Sequence, residues 1–244
     1  MSRPFRTVFP TGTPIFAMLH LKGEDAVDRL RRAKQEIDDL WGNGVDAIIV
    51  ENYFGEVEDV IAVLDHLVAE RPEVVIGLNV LNDDAQAFEL AGRYPIAFLQ
   101  LDSVAGHLSP EEDAAFAERL TEMRAGVEAS VFGGVRFKYQ PYRSGRTLEE
   151  DLALAIGRCD AIVVTGDGTG LMTPLDKIAE FRRIVGPGFP LIVGAGVTPD
   201  NAAEQLAQAD GVVVGSALKD TLADTGDVAP ENVARFVAAV RATH

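Results

Sequence analysis

His20, Asn79, Asp102, Lys138 and Asp167 stand at or near the ends of successive apolar runs. A two-residue strand period puts each on the face opposite the large aliphatics of its run. A sixth run ends in Glu51 and Asn52, either of which could share that face. These residue types limit the chemistry. His20 exchanges protons near neutral pH. Glu51, Asp102 or Asp167 serves as general acid or base once a neighbour shifts its pKa. Lys138 binds an anionic intermediate or, as a lower-ranked option, forms a Schiff base when desolvated. Asp167 is the preferred base. It follows Thr165 on the same face, Gly168 and Gly170 leave its carboxylate room, and Lys138 one strand away favours its ionised form. Asn52, Asn79, Asp102 and Thr165 are expected to contact substrate; the alternative for Gln100, Asn79 and Arg136 is a structural hydrogen-bonding layer inside the barrel, which is preferred for Arg136. Carboxylates on runs two, four and six could hold a divalent cation through oxygen, but no metal site is assigned. No zinc-ligand spacing occurs, and no cofactor is identified.

Two glycine-centred turns lie near the end of the chain, residues 194–201 (GAGVTPDN) and 211–219 (GVVVGSALK). Each follows a short apolar run and leads towards a helix start. Glycine lets backbone N–H groups come close to an anion, and a helix N-terminus adds free donors. Gly194, Gly196, Gly215 and Ser216 are therefore expected to hold a phosphate. The loops after the last two strands of an eight-stranded α/β barrel often do so.

Such residues converge only if the strands carrying them surround one axis. Strand-like runs are expected at residues 14–21, 45–52, 74–82, 96–102, 130–140, 160–167, 190–194 and 211–215. Amphipathic stretches alternate with them, as at 25–41, 57–69 and 114–124. Helix starts are marked by the capping boxes at Ser109 and Thr147, and by Thr173-Pro174 and Thr198-Pro199. Regular alternation implies a parallel sheet. Eight units with the glycine signal at the end favour closure, so the expected fold is a (β/α)8 TIM barrel forming one domain over residues 1–244.

Composition agrees. The 244 residues are 47% hydrophobic and 25% charged, enough for a large core. The net charge of −16 disfavours nucleic acid and anionic membranes, whose binding needs clustered cations. It does not disfavour a phosphorylated small molecule, since a pocket's field is local. No apolar run approaches a membrane span, and no secretory signal is expected. A single cysteine excludes an internal disulfide and points to a cytoplasmic setting.

Five segments together resemble the BtpA family: residues 16–22 (FAMLHLK), 44–52 (GVDAIIVEN), 76–83 (IGLNVLND), 162–170 (IVVTGDGTG) and 209–219 (ADGVVVGSALK). The family takes its name from a protein linked to photosystem I biogenesis and includes a member associated with sugar metabolism. The resemblance implies a barrel. This chain departs from the family pattern at residues 136–140, where the lysine of a Val-Lys-His segment is kept and the histidine is not. The loop after strand 4 is also shorter.

The expected function is that of an enzyme acting on a phosphorylated sugar or phosphoribosyl compound, as an isomerase, lyase or glycosyl-bond-cleaving enzyme. The expected partner is a phosphorylated small-molecule ligand, with a homo-oligomer admitted. The alternative is a non-catalytic assembly or regulatory factor. A pure scaffold has no need of a pocket lined by Glu51, Asn79, Asp102, Lys138 and Asp167.

Overall fold

The computed structural model describes residues 3–243. Eight parallel strands close on themselves in chain order, with β1 bonded to both β2 and β8. They are β1 (Ile15–Leu19), β2 (Ala47–Glu51), β3 (Ile76–Asn79), β4 (Phe98–Ala105), β5 (Ser130–Val135), β6 (Ala161–Val164), β7 (Leu191–Val193) and β8 (Gly211–Val214). α1 (Phe5–Val8) precedes β1. Each strand is then followed by its helix: α2 (Ala26–Gly42), α3 (Val57–Glu70), α4 (Asp84–Arg93), α5 (Pro110–Ala125), α6 (Leu148–Ile156), α7 (Leu175–Val185), α8 (Ala202–Leu206) and α9 (Pro230–Arg241). A 3-10 turn, Ser216–Leu218, sits between β8 and α9. This is the TIM barrel that the alternation predicts.

The capping boxes at Ser109 and Thr147 open α5 and α6 as expected. The two Thr-Pro pairs act differently. Thr173 donates its hydroxyl to the Ala195 carbonyl. α8 starts only after Asn201, whose side chain accepts the Thr198 N–H.

Three strands are pinned at their first or second residue by an aspartate that stands just before a neighbouring strand. Asp46 accepts the Ile15 N–H at 2.7 Å, Asp160 the Val131 N–H at 2.8 Å and Asp210 the Leu191 N–H at 3.0 Å. An arginine holds each carboxylate in turn: Arg241, Arg124 and Arg182. These pins set register, and a one-residue slip would turn every side chain to the wrong face.

Two apolar cores result. Outward valines, leucines and isoleucines pack under the helices, and a smaller set fills the barrel. Phe16, Phe98 and Phe132 occupy its lower interior, with Phe5 and Phe9 from the α1 segment against them. Phe98 and Phe132 stack 4.3 Å apart at 16°. Space for these rings comes from small residues opposite, since a Cβ on Gly77 would lie 2.3 Å from the Phe98 ring.

Strand 5 is the exception to the expected bounds. It ends at Val135 rather than at residue 140, and Arg136 and Tyr139 take the left-handed conformation, with φ of 46° and 62°. The two-residue alternation stops there. Phe137, expected outside, packs in the barrel interior, and Arg136 turns out to Asp151.

Because Phe98 is wedged against Phe132, Gly77→Ala should overpack the interior and cost about 1–3 kcal/mol. Thermal unfolding should then show a fall in Tm of several degrees, at roughly 2–4 °C per kcal/mol for a chain of this size. An unchanged Tm would show that the ring moves aside freely.

Candidate functional site

A cavity of about 420 Å³ opens at the C-terminal mouth of the barrel. His20, Glu51, Asp102, Lys138, Gly194, Gly196, Gly215 and Ser216, all expected there, line it. The other four expected residues do not. Asn79 stands behind the wall and donates its amide to Glu51 Oε1 at 2.8 Å and to Asp102 Oδ1 at 3.3 Å. Thr165 is fully buried and accepts the Lys138 N–H, which fixes the loop after β5. Asn52 points away and accepts the Leu81 N–H. Asp167 is exposed and outside the lining; its charge acts on Lys177, at the start of α7. The Thr165/Asp167 alternation fails because β6 ends at Val164 and the chain then bends.

The strand-end carboxylates therefore do not gather around one point. Among the described residues, no group of three His, Cys, Asp or Glu side chains is arranged to hold a metal ion.

The glycine loops sit as expected on β7 and β8, but their glycines serve different needs. Gly196 has a φ of +71°, and a Cβ there would meet the Leu171–Met172 backbone at 2.3 Å, so it admits the loop after β6. A Cβ on Gly215 would lie 3.2 Å from His20 Cε1. A bulky residue at 215 would thus press on His20 as well as block an anion. Ser216 opens the 3-10 turn, its hydroxyl directed towards Gly170.

Several lining residues escape reading by strand parity because loops deliver them. Tyr53 donates its hydroxyl to Asp224, and the Tyr139 hydroxyl accepts the Thr169 N–H, joining loops across the mouth. Gln140 donates to Asp102 Oδ2 at 3.5 Å, and Lys138 Nζ to the Thr169 hydroxyl at 3.3 Å. Arg235 reaches the rim from α9, paired with Asp200. Gln100 was visible by parity, but it lines the cavity rather than completing an internal layer.

Burial governs the electrostatics. The Glu51 carboxyl is pushed up to about 8, by burial first and by the Asp102 charge second, against the pull of Lys138. The His20 imidazole is pushed down to about 3, by burial and then by the Lys219 and Lys138 charges. His20 Nε2 lies 3.6 Å from Glu51 Oε2. At neutral pH this contact joins a carboxylic acid to a neutral imidazole rather than two ions, since burial disfavours both charged forms. Asn79 occupies Oε1, which leaves Oε2 as the oxygen that faces His20. Burial raises Asp102 as well, opposed by its amide partners and Lys138. The result is a proton donor and a proton acceptor in contact, beside one cation.

Comparison with known proteins gives a consistent picture. The model of the BtpA family matches residues 13–242. The photosystem I biogenesis protein BtpA of Synechocystis is 25% identical over 257 residues, covering 95% of this chain and 89% of that protein. The N-(5'-phosphoribosyl)anthranilate isomerase of Pyrococcus furiosus superposes with a TM-score of 0.59 at 15% identity, over 94% of this chain and 99% of that one. The (S)-3-O-geranylgeranylglyceryl phosphate synthase of Thermoplasma acidophilum, solved with sn-glycerol-1-phosphate, gives 0.61 at 12% identity, over 97% and 96%. At such identities the two structures speak for the fold alone.

The raised Glu51 carboxyl has a measurable consequence. Below its ordinary value of 4.5 the folded and unfolded states are both protonated. Between there and about 8 only the folded state keeps the proton, so stability falls as pH rises. Glu51→Gln removes this loss, and the depressed His20 contributes equally to both proteins. The Tm of the variant minus that of the native chain should therefore grow by a few degrees between pH 5 and pH 8. A difference that stays flat over this range would mean that Glu51 ionises normally.

Proposed function

The chain belongs to the BtpA family, and from that footing we propose that it is an enzyme of phosphorylated sugars or phosphoribosyl compounds, working by proton transfer as an isomerase, lyase or glycosyl-bond-cleaving enzyme. The observation that carries the reading is a single cavity that holds two glycine loops and, beside the second of them, the Glu51–His20 pair. The loops of β7 and β8 present N–H groups and the Ser216 hydroxyl to the phosphate, as an anion site at a turn start does. Protonated Glu51 donates to a substrate oxygen or leaving group, and neutral His20 accepts a proton. Lys138 stabilises negative charge that develops in between. Asp167 has no part in this scheme, because it faces solvent outside the cavity. Solved barrels of this shape include enzymes whose names carry phosphoribosyl and glyceryl phosphate groups, so the fold is compatible with that ligand class.

A second reading has its own support. Tyr139, Leu171, Met172 and Leu222 around the mouth are all more than half exposed. An apolar rim of this kind suits contact with another protein, and the Synechocystis relative is named for photosystem I biogenesis. Under that reading the chain is an assembly factor that has kept the barrel.

Thermal shift separates the two. At one hundred times Kd, a ligand that binds only the folded chain adds about 2.7 kcal/mol, or roughly 5–10 °C. Inorganic phosphate or a sugar phosphate should raise the Tm of the native chain, and Ser216→Asp, which places a negative charge at the loop, should abolish the shift while the fold persists. No shift with any phosphorylated compound would favour the assembly role. With the substrate that the screen selects, Glu51→Gln should lower turnover at least ~100-fold, and activity should fall as pH rises through about 8, where Glu51 loses its proton. Asp167→Asn should leave turnover within about twofold of native, and a loss of the size expected for Glu51→Gln would return the role to Asp167.

A further inference from the structure

The cavity wall opposite β8 is formed by β4, four strands away in either direction around the barrel. Two inward side chains of that strand line the cavity, Gln100 and, two residues on, Asp102. Gln100 is only 4% exposed, its Oε1 has no hydrogen-bond partner, and among the described residues no protein group engages its amide. Buried side-chain amides are otherwise bonded in folded proteins, because leaving one unmet is costly. The neighbouring donors are directed elsewhere. Asn79 gives its amide hydrogens to Glu51 and Asp102, and Gln140 gives one to Asp102. The Lys138 ammonium is turned to Thr169. What remains towards the cavity is an amide free to offer either of its ends, and a carboxylate with lone pairs to spare. A second carboxylate, Asp84, stands close enough to feel the Asp102 charge.

We infer that Gln100 and Asp102 form the specificity-determining wall of the site, taking hydroxyl groups at the end of the ligand remote from its phosphate and turning away a carboxylate. A hydroxyl both donates and accepts, so it satisfies the Gln100 amide in either orientation and donates to Asp102. A carboxylate could accept from Gln100, but it would bring a like charge against Asp102 where little water screens it. The wall thus narrows the proposed phosphorylated ligands to polyhydroxylated ones with an uncharged far end. It rests on the phosphate reading for the direction in which the ligand lies.

Calorimetric titration of the full chain with inorganic phosphate, ribose 5-phosphate and 3-phosphoglycerate tests the wall. On the native chain, ribose 5-phosphate should bind at least ~10-fold more tightly than phosphate, the worth of one or two buried hydrogen bonds. 3-phosphoglycerate should bind no better than phosphate. Gln100→Met should erase the advantage of the sugar and leave phosphate affinity unchanged. Asp102→Asn, which keeps the shape and removes the charge, should improve 3-phosphoglycerate binding by ~10-fold or more. The native titrations decide the matter even where a variant fails to fold. If ribose 5-phosphate binds no better than phosphate, or 3-phosphoglycerate binds better than the sugar, the wall is overturned while the phosphate reading stands. Ribose 5-phosphate binding that depends on Gln100, with phosphate itself not bound, supports the wall and overturns the phosphate reading. Failure of all three ligands to bind overturns both.

Discussion

A closed barrel has to be filled at every level along its axis, and here the filling changes character part-way up. The lower interior is taken by phenylalanines from β1, β4, β5 and the α1 segment, packed ring against ring. They fit only because glycine or alanine stands opposite them, as at Gly77 and Ala47. Dense packing at this level supports the polar side chains above at a fixed height. It also keeps water away from their lower side. The chemistry of the mouth follows from that dryness, since the pKa shifts of Glu51 and His20 are both set first by burial.

Dryness alone would leave Glu51 and His20 merely neutral. The arrangement of Asn79 gives the pair a direction. One amide bridges two carboxylates, which fixes where the free oxygen of Glu51 points and separates it from Asp102 in role. Two acidic groups on the strands that flank β3 thereby come to differ: one is a carboxylic acid in contact with an imidazole, the other faces the cavity. Environments that push similar groups apart in this way characterise acid–base sites. The lysine after β5 acts on both, so its position matters more than any bond it makes.

The sequence foretold the barrel in detail because both of its signals are local. Apolar runs alternate with capped helices, and the Ser109 and Thr147 boxes act as written. Side-chain direction was legible only while a strand lasted. His20 and Asp102 fall inside the cavity as alternation predicts, and of Glu51 and Asn52, between which it does not choose, Glu51 does. Arg136 and Asp167 do not. A residue with positive φ reverses the alternation after β5, and β6 stops short of Asp167. Nothing in the residue types announces a left-handed arginine. Asn79 takes the structural role that was its alternative, and Thr165, expected at the substrate, does likewise: each is consumed by a protein partner, and such partners lie on other segments of the chain. Tyr53 and Tyr139 were out of reach for the same reason, since loop closure brings them to the mouth.

The aspartate pins at the foot of the barrel bear on the order in which the molecule is made. The residues they join are 31, 29 and 19 positions apart, so each joins strands that follow one another along the chain. Short loops close at little entropic expense, and a growing chain can therefore lock β1 to β2, β5 to β6 and β7 to β8 as each second strand emerges. Only the seam between β8 and β1 must wait for the last third of the polypeptide to arrive. Because Gly215 and His20 face each other across that seam, the ligand cavity is complete only once the first and last strands have met.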